Sequence, residues 1–162
     1  LLEQLPDKAG TPPIALHPYA THPDKAWKEA YWRQLMELFE SRGIPWIVIG
    51  RGNGMEGIPA SRNFTNRTSL RETCALLKSS SLLITGDSGP MHLAGAVGTP
   101  VLALFGPTTE EWGFFPAGPK DRVLESQLDC RPCTLHGKKH CDRNHACMQS
   151  ITPEQVMRAL DE

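Results

Sequence analysis

The sequence predicts an α/β fold, a doubly wound parallel sheet with helices on both faces. Three observations carry this. Apolar runs of strand length alternate along the chain with stretches of helical periodicity. Nearly every apolar run ends in a Gly- or Pro-marked polar turn, and the chain holds 14 Gly and 14 Pro, suiting many strand–helix punctuations. Residues 82–106 read as a complete strand–turn–helix–strand unit. Such units place strands parallel with right-handed crossovers.

The elements follow in order. Residues 1–13 are linker-like, with Pro6, Gly10, Pro12 and Pro13, and residues 14–162 form the domain. Ile14–Leu16 is the first strand and opens into the turn His17–Lys25. A helix is predicted over Ala26–Ser41, with Trp27, Tyr31, Leu35, Leu38 and Phe39 on one face and Gly43 as its stop. Pro45–Ile49 is the second strand and exits at Gly50-Arg51-Gly52-Asn53-Gly54. A short strand is expected near Asn63-Phe64. Ser69-Leu70-Arg71-Glu72 has the form of a capping box and opens a helix through Lys78, with Leu70, Cys74 and Leu77 inward. Leu82–Thr85 is a strand, a small-residue helix follows, Gly98 ends it, and Val101–Phe105 is the next strand. Gly106–Lys120 is a loop, and Val123-Leu124 is a sixth short strand. Residues 126–150 hold most of the cysteines. Thr152 caps a closing helix to about Leu160, with Pro153 at its first position.

Bulk composition narrows the function. The 162 residues suffice for one domain with a core, and 17 basic residues against 18 acidic ones give no global polyanion-binding surface, so nucleic acid is not an expected partner. The longest apolar runs are of strand length, so no span is expected. The N-terminal Leu-Leu-Glu-Gln-Leu has neither the basic region nor the apolar segment of a signal peptide, and the chain reads as a fragment starting at a domain boundary.

Three polar turns, each a strand exit, are expected along one sheet edge, where open parallel sheets bind ligands. In the central turn Ser88 and Gly89 offer backbone N–H groups at a helix N-terminus, which suits phosphate, and Pro90 fits the first helical turn. Asp87 would repel phosphate and suits sugar hydroxyls instead, while His92 lies one turn on. The plainer reading has Asp87 or Ser88 capping the helix and His92 as a half-buried residue with its bonds met. In the first turn Thr21 and Lys25 supply a hydroxyl and an ammonium for a diphosphate. Against this, Thr21 would be a helix cap and Lys25 solvated. In the second turn Arg51 could lie over a nucleotide base or contact a phosphate, or simply be solvated. No Walker or Asp-x-Asp pattern occurs.

The run Asp87-Ser88-Gly89-Pro90-Met91-His92-Leu93-Ala94, then Ala96, Gly98-Thr99-Pro100 and Ala103-Leu104-Phe105-Gly106-Pro107-Thr108, resembles the signature of heptosyltransferase-type glycosyltransferases, glycosyltransferase family 9. These build the inner core of bacterial lipopolysaccharide. The resemblance implies that residues 14–162 are the Rossmann-like, donor-binding C-terminal half of a GT-B enzyme. Its partners would be an N-terminal acceptor domain, a nucleotide-sugar donor such as ADP-heptose, and a lipid-linked saccharide acceptor. It implies a cytoplasmic location, peripheral to the inner membrane. Asp87 would hold the donor sugar, the Ser88 and Gly89 amides the phosphates, and Gly50 would lie near the base. The family's hydroxyl-rich turn ending in Lys and an aromatic is matched by Thr21, Lys25 and Trp27, with Ala20 where a second hydroxyl is typical. The general base would come from the other half, so no catalytic residue and no required metal or cofactor is expected here. The alternatives are a nucleotide-binding or zinc-stabilised interaction module, or a GT-B-type sugar-nucleotide epimerase.

Four of the five cysteines cluster as Cys130-x2-Cys133-x7-Cys141-x5-Cys147, interleaved with His136, His140 and His145. The family carries a C-x-P-C…C…C-M element here. Structural zinc, disulfides and free thiols are all open readings. The cluster is expected to be compact and away from the Asp87 turn. Residues 130–147 hold four bases against one acid, a charge that suits an anionic acceptor or membrane surface.

Overall fold

The computed structural model describes residues 10–135 and 140–162. Five parallel strands form one sheet in the order β2-β1-β3-β4-β5. They are β1 (Ile14–His17), β2 (Trp46–Val48), β3 (Leu82–Gly86), β4 (Val101–Phe105) and β5 (Arg122–Glu125). The helices are α1 (Glu29–Arg42), α2 (Leu70–Lys78), α3 (Gly89–Val97), α4 (Ala146–Gln149) and α5 (Pro153–Asp161).

Strand residues alternate between two cores, as the pleat requires. Leu16, Val48, Ile84 and Leu104 join Trp32, Phe39 and Val156 on the face covered by α1 and α5. Ala15, Ile47, Leu83 and Ala103 join Leu76, Leu77 and Met91 on the face covered by α2 and α3. The central strands are apolar up to their carboxyl ends, where His17 and Thr85 stand, because helices cover both faces. No helix among the described residues is long and apolar enough to cross a membrane.

The structure corrects four sequence expectations. The first helix starts at Glu29, not Ala26, because a 3₁₀ turn at Pro23–Lys25 closes on an extended Ala26. Trp27 therefore stands outside the helix, where its indole N–H donates to the Ile151 carbonyl at 2.8 Å. The buried face of α1 is Trp32, Leu35, Met36 and Phe39. Near Asn63-Phe64 there is only a parallel bridge to Val48, since the Asn63 side chain turns back to accept from the Thr65 amide at 3.0 Å. The edge strand Arg122–Glu125 is thus the fifth, not the sixth. In α2 the inward residues are Thr73, Leu76 and Leu77, while Leu70 is 66% exposed. The expected capping box is present: Ser69 Oγ accepts from Glu72 N at 3.3 Å and Glu72 Oε2 accepts from Ser69 N at 2.8 Å. That box sets the phase of the helix, and a Thr68–Thr73 hydroxyl contact of 2.9 Å turns Thr73 rather than Leu70 to the protein.

Candidate functional site

The sheet's order reverses between β1 and β3. The crossover after β1 leads to one side and the crossover after β3 to the other, so the loops part and leave a crevice. A cleft of about 560 Å³ opens there.

Its floor is built by strand ends. His17 and Thr85 are register partners on β1 and β3. His17 Nδ1 lies 3.1 Å from Thr85 Oγ1 and 3.2 Å from Ser88 Oγ, and the two hydroxyls are 2.9 Å apart. Burial lowers the His17 pKa from 6.5 to about 4, so the ring is neutral at pH 7. The knot draws the Ser88 hydroxyl away from α3. Ser88 is the N-cap residue in extended conformation, yet it makes no side-chain cap. Ser88, Gly89 and Pro90 line the cleft, so the N-terminal end of α3 borders it without a side-chain cap in between.

The second wall explains two glycines. Gly50 has φ +114°, and a Cβ there would fall 2.4 Å from His17 Cδ2. A Cβ on Gly52 would fall 2.3 Å from Tyr19 Cδ1. The loop after β2 therefore lies flat against two rings, which themselves meet edge to face at 5.8 Å. Tyr19 is fixed by a 2.7 Å hydroxyl contact with Thr65. Leu70 and Leu93 add apolar surface to the cleft's lining.

Of the residues singled out from the sequence, Thr21, Gly50, Arg51, Ser88 and Gly89 all line this cleft. Thr21 caps nothing: the capping positions of the 3₁₀ turn and of α1 are His22 and Lys28. Lys25 and Asp87 are not among the residues that line the cleft, although Asp87 directly precedes Ser88, which is. They are joined to each other, Lys25 Nζ to Asp87 Oδ2 at 2.5 Å. Lys25 is therefore not a solvated lysine; its side chain is 14% exposed. Thr108 Oγ1 donates to the same Asp87 oxygen at 3.1 Å. Both bonds fall on Oδ2, which leaves Oδ1 its acceptor capacity. His92 is exposed on α3 and does not line the cleft.

Sequence reasoning missed His17, Tyr19, Thr85 and Thr108. A signal existed for two of them. His17 and Thr85 each end an apolar strand, and polar residues at the carboxyl ends of adjacent parallel strands share one edge.

None of the five cysteines forms a disulfide. Among the described residues no three His, Cys, Asp or Glu side chains are grouped to hold a metal, and His136 lies outside them. Burial raises the Cys147 thiol pKa, and Cys133 and Cys141 are near enough to add to the rise. Contrary to the expectation that it lies away from the Asp87 turn, the segment packs on the loop after β4, whose Thr108 holds Asp87. Cys133 N donates to Pro107 O at 3.0 Å, one residue before Thr108.

Residues 2–142 match the model of glycosyltransferase family 9 (heptosyltransferase). The chain is 35% identical over 153 residues to lipopolysaccharide heptosyltransferase 1 of Pseudomonas aeruginosa, covering 86% of this chain and 40% of that protein. It is 33% identical over 150 residues to lipooligosaccharide heptosyltransferase 2 of Campylobacter jejuni, covering 82% and 44%. The solved E. coli ADP-heptose lps heptosyltransferase II has the same fold, with a TM-score of 0.74 at 23% identity over 95% of this chain and 46% of that one. The chain thus spans less than half the length of these relatives.

Proposed function

We propose that this chain, which belongs to glycosyltransferase family 9, the heptosyltransferases, is the donor-binding domain of an enzyme that transfers a sugar from a nucleotide diphosphate sugar to a lipopolysaccharide-core acceptor. ADP-heptose is the donor that fits the relatives' names. The observation that carries the reading is the cleft at the β1/β3 switch point, with the uncapped N-terminus of α3 on one side and the Lys25–Asp87 pair next to it.

The chemistry follows from that placement. Transfer leaves a nucleoside diphosphate carrying new negative charge. The α3 N-terminus is a fixed positive pole that needs no reorganisation as the charge develops. Lys25 has two further N–H donors beyond the one on Asp87, so it can bridge the carboxylate and a phosphate oxygen. Asp87, neutralised by Lys25, can sit near a diphosphate and offer Oδ1 to sugar hydroxyls. Arg51, exposed on the rim, and the apolar Leu70–Leu93 wall suit the nucleoside. The base that deprotonates the acceptor belongs to the other half of the enzyme, which would work at the cytoplasmic face of the inner membrane. No metal enters this account of the transfer, because the sequence has no acidic diphosphate clamp.

Isothermal titration with ADP, UDP and GDP, with and without EDTA, tests the reading. ADP should bind, EDTA should not abolish it, and Lys25→Ala should weaken it about 10-fold or more, the cost of a charge-assisted hydrogen bond. A protein that binds none of the three would end the donor-site reading.

A further inference from the structure

Lys25 and Asp87 can serve a donor only if two loops keep their spacing. Lys25 sits in the turn after β1. Thr108, which holds Asp87, sits in the loop after β4. The strands β1 and β4 are not neighbours, because β3 lies between them. Arg131, Cys147 and Met148 reach the second of these loops, and His145 reaches the first.

At one end is Arg131, whose side chain is 5% exposed. Its Nη2 donates to Thr108 O at 2.9 Å and to Glu125 Oε2 at 2.7 Å. Its Nε donates to Gly106 O and its Nη1 to Ser126 O. One planar guanidinium thus fixes three carbonyls around the Thr108 loop, a task a lysine cannot do. Met148 and Cys147 press on the same loop. A Cβ at Gly106 would lie 2.4 Å from Met148 Sδ and 3.2 Å from Cys147 Sγ.

At the other end is His145, held at φ +54°. A left-handed conformation is uncommon outside glycine and persists where surrounding contacts enforce it. Here His145 Nε2 lies 2.6 Å from Asp24 Oδ1, in the residue just before Lys25. The seam continues with Tyr31 Oη donating to Gln149 O at 3.2 Å and the Trp27 indole to Ile151 O.

We propose that Arg131 and His145 are positioning residues which, through Thr108 and Asp24, set the Lys25–Asp87 geometry for the donor's diphosphate and sugar. The described parts of the cysteine segment, residues 130–135 and 140–148, are then a brace across the β3 edge rather than a separate module. The proposal rests on the donor-site reading above.

The test is ADP titration of the whole protein with melting followed in parallel. Arg131→Lys keeps the charge and loses the fork. His145→Asn tolerates the left-handed backbone but falls short of Asp24, whereas His145→Gln restores an N–H at that reach. Arg131→Lys and His145→Asn should each weaken ADP by about 10-fold to 100-fold, as small misplacements of a site do. His145→Gln should recover most of the affinity. In a Lys25→Ala background His145→Asn should cost little more, since both act through one ammonium. A merely structural His145 would lower the melting temperature and leave the affinity of the folded protein alone, or lose equal affinity in both backgrounds; either result overturns the proposal. Should Arg131→Lys fail to fold, the His145 pair decides. If the unmodified protein binds ADP and Lys25→Ala weakens it while His145→Asn does not, positioning fails and the donor site stands. If the unmodified protein binds no nucleoside diphosphate, both fall.

Discussion

Lys25 and Asp87 are each other's partners: Nζ and Oδ2 meet at 2.5 Å with side chains 14% and 11% exposed. Sequence reasoning assigns them to opposite ends of a donor, one to phosphate and one to sugar. The pairing makes them one electrostatic unit, and a unit so far removed from water has a stability signature. Deleting one member leaves the other charged and poorly hydrated. Lys25→Met and Asp87→Asn should each destabilise by about 1–3 kcal/mol. The double variant should cost less than the sum, because no orphan charge remains. Urea unfolding of the four proteins gives the coupling; strictly additive costs would show that the pair contributes nothing as a pair.

His17 gives a pH dependence with a definite sign. Its folded pKa is lowered to about 4 by burial, against 6.5 when exposed. Between these values the unfolded chain binds the proton and the folded one does not, so stability rises with pH. The contribution is complete above pH 6.5 and is lost as pH falls toward 4. The gap corresponds to roughly 3 kcal/mol. Denaturant midpoints from pH 7 to 4.5 should therefore fall more steeply for the parent than for His17→Gln, which does not titrate. Parallel curves would mean the ring is not held neutral in the knot with Thr85 and Ser88.

Much of this molecule is readable from its residues because much of it is local. Strands β3 and β4 are apolar runs between turn signals, and the box at Ser69–Glu72 and the Thr152 cap with Pro153 announce α2 and α5 within a few residues. The convergence of Thr21, Gly50, Arg51, Ser88 and Gly89 was legible too, since strand exits of a parallel sheet share an edge. What escaped is set by contacts distant in sequence. Trp27 leaves the helical pattern because its indole finds a carbonyl 124 residues away. The turn at Gly50–Gly52 reads as a loop suited to a ligand, yet two of its glycines make room for the rings of His17 and Tyr19. The cysteine spacing suggests a self-contained knot, and the segment instead leans on Gly106 and Asp24. No local rule pairs Lys25 with a carboxylate 62 positions on.

Leu70 is the sharpest case and supports the last prediction. Helical periodicity puts it in the core with Cys74 and Leu77. In the structure it is 66% exposed and forms part of the cleft wall with Leu93. A large apolar side chain left in water on a cleft wall is available to cover a nucleoside. Leu70→Ser should therefore leave the thermal midpoint nearly unchanged, since little buried area is lost. It should weaken ADP by roughly fivefold, about 1 kcal/mol of apolar area no longer covered on binding. Inorganic pyrophosphate, which has no nucleoside to cover, should bind the variant and the parent alike. A variant that melts early would return Leu70 to the core, and one that loses pyrophosphate and ADP equally would remove it from the nucleoside wall.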